Sequence, residues 1–121
     1  MKILCADDEE DVRTILEFAL ELDPSLKATI VDSGEALLAR AGEGWDVFVV
    51  DGMMPGIDGL EVCRRLRADD KTALTPIIFL SGLTRREEVA RAIEAGATTT
   101  IAKPFDPMTL AADVRRVVDK S

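Results

Sequence analysis

Asp51 follows the apolar run Val47-Phe48-Val49-Val50 and precedes the turn Gly52-Met53-Met54-Pro55-Gly56. A carboxylate therefore stands at the exposed end of a strand that reads as buried on both faces. Other chemically able residues occupy matching junctions: Asp7 and Asp8 after Ile3-Leu4-Cys5-Ala6, Ser81 after the run ending at Leu80, and Lys103 after Ile101-Ala102. Parallel strands deliver their following residues to one common edge, which is where open α/β sheets bind ligands. If the first, third and fourth strands are neighbours, Asp7, Asp8 and Asp51 crowd into a single acidic pocket. Their repulsion is relieved by a raised pKa or by a bound cation, and an all-oxygen donor set without His or Cys favours a hard ion such as Mg²⁺. A divalent ion, the Lys103 ammonium and the Ser81 hydroxyl around Asp51 would equip that carboxylate to accept a phosphoryl group.

Each residue also has a plainer reading. Asp7 or Asp8 could cap the first helix, beside Glu9, Glu10 and Asp11 at its positive end. Asp51 could be a turn residue, Ser81-Gly82 a plain turn, and Lys103 a solvated amine. It is their joint position at one sheet edge that favours chemistry.

Placing them requires five strands and five helices. Short apolar runs alternate with helical patterns five times, which predicts strands near Lys2–Ala6, Lys27–Val31, Asp46–Val50, Pro76–Leu80 and Thr98–Ala102. The expected fold is a single doubly wound (βα)5 α/β domain with a five-stranded parallel sheet in the order 2-1-3-4-5, flavodoxin-like in its layering. The Thr-rich last strand reads as an edge. Asp32 with Glu35, Asp58 with Glu61 and Thr84 with Glu87 have capping-box spacing, and Asp106-Pro107 reads as a cap followed by proline at the first helical position. In the first helix Val12, Ile15, Leu16, Ala19 and Leu20 form an apolar face, and in the fourth Val89, Ala90, Ile93 and Ala97 do the same. Gly42 and Gly44 flank a turn before Trp45, and residues from Asp69 to Thr75 read as a loop. Trp45 lies six residues before Asp51, roughly 20 Å along an extended strand, so it should sit at the opposite edge and serve packing.

Composition narrows the function further. The 121 residues are 47% hydrophobic, which suits one domain spanning 1–121 with no effector domain in the chain. Fifteen Lys and Arg against 23 Asp and Glu give a net charge of −8, unfavourable for direct binding to nucleic acid or to an anionic membrane. The absence of His removes Ser/His/Asp triads and most transition-metal sites. Cys5 and Cys63 lie in apolar surroundings without metal-ligand spacing and read as core residues of a protein in a reducing compartment. No signal peptide or membrane-spanning run is visible, so a cytoplasmic location is expected.

Four segments resemble the receiver domain of two-component response regulators, of the chemotaxis-regulator type: Cys5-Ala6-Asp7-Asp8-Glu9, Asp51 through Gly59, Leu80-Ser81-Gly82 and Ala102-Lys103-Pro104-Phe105. Ala95-Gly96-Ala97 also fits, so the resemblance runs over essentially the whole chain. It implies that Asp51 is the phosphoacceptor, that Asp8 and Asp51 with the Met53 carbonyl bind Mg²⁺, and that Asp7 acts chiefly through a water on that ion. It further implies that Ser81 and Lys103 contact the phosphoryl oxygens, and that the bond before Pro104 is cis. The donor would be a phosphohistidine on a sensor histidine kinase or a histidine phosphotransfer protein, and the output would pass to a further protein. Similar domains carry Tyr or Phe three positions before the lysine as a switch, whereas this chain has Thr100. Met53 and Leu83, two positions beyond Asp51 and Ser81, would either pack their loops or form an apolar rim over the phosphoryl group that slows its hydrolysis.

The leading expectation is a receiver that switches a protein-binding surface and turns over no external substrate. A relay or phosphate-sink receiver, or a receiver piece of a longer regulator, shares all of these residues. An aspartate-nucleophile phosphatase resembles D-x-D at its nucleophile, and Met53 stands at the second position here. A nucleotide or flavin module lacks its Gly-rich loop after the first strand.

Overall fold

The computed structural model describes residues 1–82 and 86–120. The elements alternate as predicted: β1 (Lys2–Ala6), α1 (Glu10–Glu21), β2 (Lys27–Val31), α2 (Gly34–Arg40), β3 (Val47–Asp51), α3 (Gly59–Ala68), β4 (Ile77–Ser81), α4 (Arg86–Ala95), β5 (Thr99–Ala102) and α5 (Leu110–Asp119). All neighbouring strands are parallel and the order is β2-β1-β3-β4-β5. β3 and β4 begin and end one residue later than expected, so Asp51 and Ser81 are the last residues of their strands rather than the first beyond them. The ladder explains this, because the Gly52 N–H still bonds to Leu80 O at 2.9 Å and the Lys103 N–H to Ser81 O at 2.7 Å.

Alternation along the strands divides the core into two layers. Phe48, Val50, Ile77 and Phe79 face α2, α3 and α4, while Val47, Val49, Ile78 and Leu80 face α1 and α5. β3 and β4 are buried at every position, as parallel strands covered on both faces must be, whereas the edge strands β2 and β5 are only partly covered.

Several local expectations change. The N-cap of α2 is Ser33, whose hydroxyl accepts the Ala36 N–H at 3.0 Å, not Asp32. Asp58 does cap α3, accepting the Glu61 N–H at 2.9 Å. Thr84 lies outside the described residues. Asp106 organises a turn over 107–109, with its carboxylate on the Met108 N–H and its carbonyl on the Leu110 N–H, and α5 proper starts only at Leu110. Proline 107 therefore sits in that turn instead of at the first helical position.

In α1 the buried face is Leu16, Ala19 and Leu20, while Ile15 is 42% exposed. In α4 the buried residues are Ala92 and Ala95, with Ile93 exposed. α4 lies against α3 and the β4-β5 edge, and its contact face is built from methyl groups that permit close approach. Of the predicted face, Val89 is half-buried and Ala90 exposed, while Ala97 is buried but lies two residues beyond the end of the helix. A 3₁₀ turn at Ala41–Glu43 and Gly44 at φ +85° lead into Trp45, whose indole N–H bonds to Arg40 O at 2.7 Å. Lys2 Nζ lies 4.6 Å above that ring, so Trp45 packs at the edge opposite Asp51.

Candidate active site

The strand register fixes the site. Ala6 pairs with Val50, Asp51 with Leu80 and Ser81 with Ala102, so β1, β3, β4 and β5 end at one level. Asp7, Asp51 and Ser81 are buried there, each no more than 2% exposed, whereas Asp8 is open to solvent. Carboxylate oxygens of Asp7, Asp8 and Asp51 lie within 4.8 Å of one another. Lys103 reaches the cluster across the sheet, with Nζ 3.0 Å from Asp7 Oδ2, 3.4 Å from Asp51 Oδ1 and 3.7 Å from Glu9 Oε1. The Lys103–Pro104 peptide bond is cis.

The helix-cap reading of Asp7 and Asp8 fails on geometry. The N-cap of α1 is Glu9, and no side chain caps it. Asp7 Oδ1 instead accepts the Glu9 N–H at 2.9 Å, which leaves Oδ2 for Lys103. Asp51 does take part in its turn, because Oδ1 accepts the Met53 N–H at 3.3 Å. Its other oxygen, Oδ2, is buried without a hydrogen-bond partner among the described residues. A buried carboxylate oxygen left so is costly unless something positive completes it. Three carboxylates grouped here, with no His or Cys joining them among the described residues, fit a hard divalent cation.

The sequence matches the response regulator receiver domain family over residues 3–115. The chain belongs to that family. It is 35% identical over 120 residues to the alkaline phosphatase synthesis transcriptional regulatory protein PhoP of Bacillus subtilis, covering 99% of this chain and 49% of PhoP. It is 35% identical over 114 residues to the response regulator PleD of Caulobacter vibrioides, covering 94% of this chain and 25% of PleD. The receiver thus spans about half or less of the length of these two curated relatives. Among solved structures, the chemotaxis protein CheY4 of Vibrio cholerae superposes with a TM-score of 0.88 at 31% identity, covering 96% of this chain and 97% of CheY4.

Receiver domains bind Mg²⁺ at an acidic pocket, and the Asp7, Asp8 and Asp51 cluster of this receiver has the donors for it. Burial pushes the Asp51 carboxyl up to about 6, the negative charge of Asp7 adds to the rise, and Lys103 offsets part of it. Lys103 feels the opposite balance. Burial pulls its ammonium down, but the hydrogen bond to Asp7 and the charges of Asp51 and Asp7 outweigh that and hold it above its ordinary value. Among the described residues, Lys103 is the cation paired with the buried Asp7 and Asp51.

The other expected residues fall as follows. Met53 is 68% exposed and lies on the wall of a cavity of about 420 Å³ that opens beside Asp51 and Lys103. Its expected partner in the rim, Leu83, lies outside the described residues. Thr100 is half-buried on β5 and pairs in register with Phe79. Val12, Ile15 and Phe105 supply apolar wall to the same cavity, which is where the outer part of the α1 stripe goes.

Two contributions went unread in the sequence. Arg13 donates from Nη1 to Asp7 O at 3.1 Å, and Phe79 packs beneath the turn that follows Asp51. The i+4 placement of Arg13 after Glu9 offered a faint signal for the first. For Phe79 there was none, since it reads as one more apolar residue in a buried strand.

Proposed function

We propose that this receiver accepts a phosphoryl group on Asp51, in a Mg²⁺-dependent reaction, from a phosphohistidine on a sensor histidine kinase or histidine phosphotransfer protein. The observation that carries this reading is the convergence of Asp7, Asp8 and Asp51 around a buried, unpartnered Asp51 oxygen, with Lys103 as the cation between Asp7 and Asp51. In the step, an Asp51 carboxylate oxygen attacks phosphorus, the P–O bond forms as the P–N bond to the donor imidazole breaks, and the imidazole leaves with its electron pair and takes up a proton. Asp8, Asp51 and the Met53 carbonyl would hold the divalent ion, and Asp7 would support it from outside that set while orienting Lys103. When bound, the ion supplies positive charge that offsets the charge on the transferring oxygens. Lys103 shifts from the carboxylates to a phosphoryl oxygen, and Ser81 donates a hydrogen bond to another.

The chain acts as a switch or relay and turns over no external substrate. Residues 1–121 form the receiver unit, acting in the cytoplasm, with output through a protein partner. Because Thr100 is small and lies outside the acceptor set, transfer chemistry is retained while the readout through β5 differs from an aromatic switch. That difference requires Ser81 and the segment after it to respond to phosphorylation. Unchanged amide shifts there on beryllofluoride binding would remove its basis. Met53 on the cavity wall hinders approach of a hydrolytic water and lengthens the life of the phosphorylated form.

The decisive experiment incubates wild type and Asp51→Asn with a small phosphodonor, with and without Mg²⁺, and reads intact mass. A gain of one phosphoryl group only in wild type with Mg²⁺ is expected. No gain under any condition overturns the reading.

A further inference from the structure

The loop from Gly52 to Gly59 carries Met53 and closes on itself at its base, where the Gly59 N–H bonds to Gly52 O at 3.3 Å. Beneath that base lies the ring of Phe79, buried at 2% exposure. A Cβ added to Gly52 would come within 2.7 Å of the ring atoms Cε1 and Cζ, and one added to Gly59 within 2.9 Å of Cε2. Both ends of the loop therefore rest as bare backbone on one aromatic ring. The register neighbours of Phe79 are Val50 and Thr100, both smaller, so the ring supplies the bulk at that level of the sheet.

We propose that Phe79 is a positioning residue for the cation site: its ring is the floor that sets the height of the Gly52–Met53 backbone and so of the Met53 carbonyl. The inference rests on the phosphoacceptor reading of the site. The Gly52 N–H is tied to Leu80 O at 2.9 Å and Met54 is buried, but Met53 between them is largely exposed and its amide makes a long hydrogen bond, 3.3 Å, to Asp51, so the ring under Gly52 bears on where the Met53 backbone lies. Aromatic rings are stiff, flat supports, and a ring against glycine backbone transmits its position directly. Shortening the side chain lets the loop base sink, which moves the carbonyl while leaving the three carboxylates in place.

The test measures Mg²⁺ affinity by calorimetry at pH 7.5, with amide chemical shifts of Gly52 and Met53 as a second readout. Phe79→Ala and Phe79→Leu are compared with Leu20→Ala, a buried change in the opposite core layer that lowers stability without touching the loop. Support of a metal ligand from outside its coordination sphere is typically worth about 10- to 100-fold in affinity. Phe79→Ala should raise the Mg²⁺ dissociation constant about tenfold, at the low end of that range, and Phe79→Leu a few-fold, with Leu20→Ala unchanged. Gly52 does not have a positive φ, so Gly52→Ala is a steric change only, and it should weaken binding by pushing against the ring. Phe79→Leu in the same chain should relieve part of that loss. Gly59→Ala should not be relieved, because its Cβ would meet Asp51 O at 2.5 Å and Gly52 Cα at 2.8 Å, which are backbone atoms.

Rescue of Gly52→Ala but not of Gly59→Ala supports the floor. Wild-type affinity in Phe79→Leu together with no relief of Gly52→Ala overturns it, even if Phe79→Ala fails to fold. A wild-type protein that binds no Mg²⁺ instead overturns the phosphoacceptor reading, and this inference with it.

Discussion

Replacing Asp51 by Asn removes a negative charge from a buried site that already holds Asp7. With no divalent ion present, the Asp51 carboxyl is raised from 3.8 to about 6, chiefly by burial. A raised pKa means that the protonated group suits the folded state. Its contribution to stability is fully present below 3.8 and is lost as pH rises through 6. At pH 7.5 the ionised carboxylate therefore opposes folding, by about 3 kcal/mol at ~1.4 kcal/mol per unit of pKa. Asparagine keeps an acceptor for the Met53 N–H and for Lys103, and its amide can donate where Asp51 Oδ2 has no partner. Lys103 loses one charge partner but keeps Asp7. The net expectation is that Asp51→Asn is more stable than wild type by about 1 to 3 kcal/mol in EDTA at pH 7.5, a rise in Tm on the order of 10 °C for a domain of this size. Urea unfolding at pH 7.5 and pH 4 measures it, and the gap should largely close at pH 4, where most of the wild-type Asp51 is protonated in the folded state. Added Mg²⁺ should narrow the gap at pH 7.5, because ten times the dissociation constant stabilises wild type by about 1.4 kcal/mol. An Asp51→Asn protein no more stable than wild type in EDTA, or a gap independent of pH, would falsify the electrostatic account.

Lys103→Ala leaves Asp7 and Asp51 without their shared ammonium and should lower stability by about 2 kcal/mol or more at pH 7.5, and by less at pH 4, in the same urea assay. Equal losses at both pH values would mean that Lys103 contributes packing rather than charge. Arg67 on α3 ties together two connections, donating to Gly96 O at 2.8 Å between α4 and β5 and to Thr75 O at 2.6 Å and Ala73 O at 3.1 Å between α3 and β4. Arg67→Ala should cost about 2 to 4 kcal/mol without changing Mg²⁺ affinity. A loss within 0.5 kcal/mol, the size of an ordinary surface change, would show that water replaces the guanidinium there. Burial pushes the Cys5 thiol up to about 12 and that of Cys63 up to about 11, so neither should react with a thiol reagent at pH 8 until urea unfolds the chain. Rapid labelling of the native protein would reveal an opening of the sheet that this fold does not contain.

The candidate site of this protein was legible in the sequence because the fold is parallel. In a parallel sheet the residues at each strand end share one edge, so Asp7, Asp8, Asp51, Ser81 and Lys103 could be gathered from four separate segments by strand ends alone. Hydrophobic runs placed the strands within one residue, while the start of α5 came three residues later than Pro107. The sequence could not place what depends on distance between elements. Whether Asp7 caps a helix or meets Lys103 turned on a 3.0 Å contact across 96 residues. The face of α4 turned on its packing against α3 and the sheet, which buries Ala92 and Ala95 and leaves Ala90 and Ile93 outside. Phe79 looked like any other apolar strand residue until the fold set it under two glycines. A strand pattern says which face a side chain takes and nothing about what rests on it. Residue types and spacing thus determined which groups meet at one sheet edge, and packing alone decided which neighbours each of them touches.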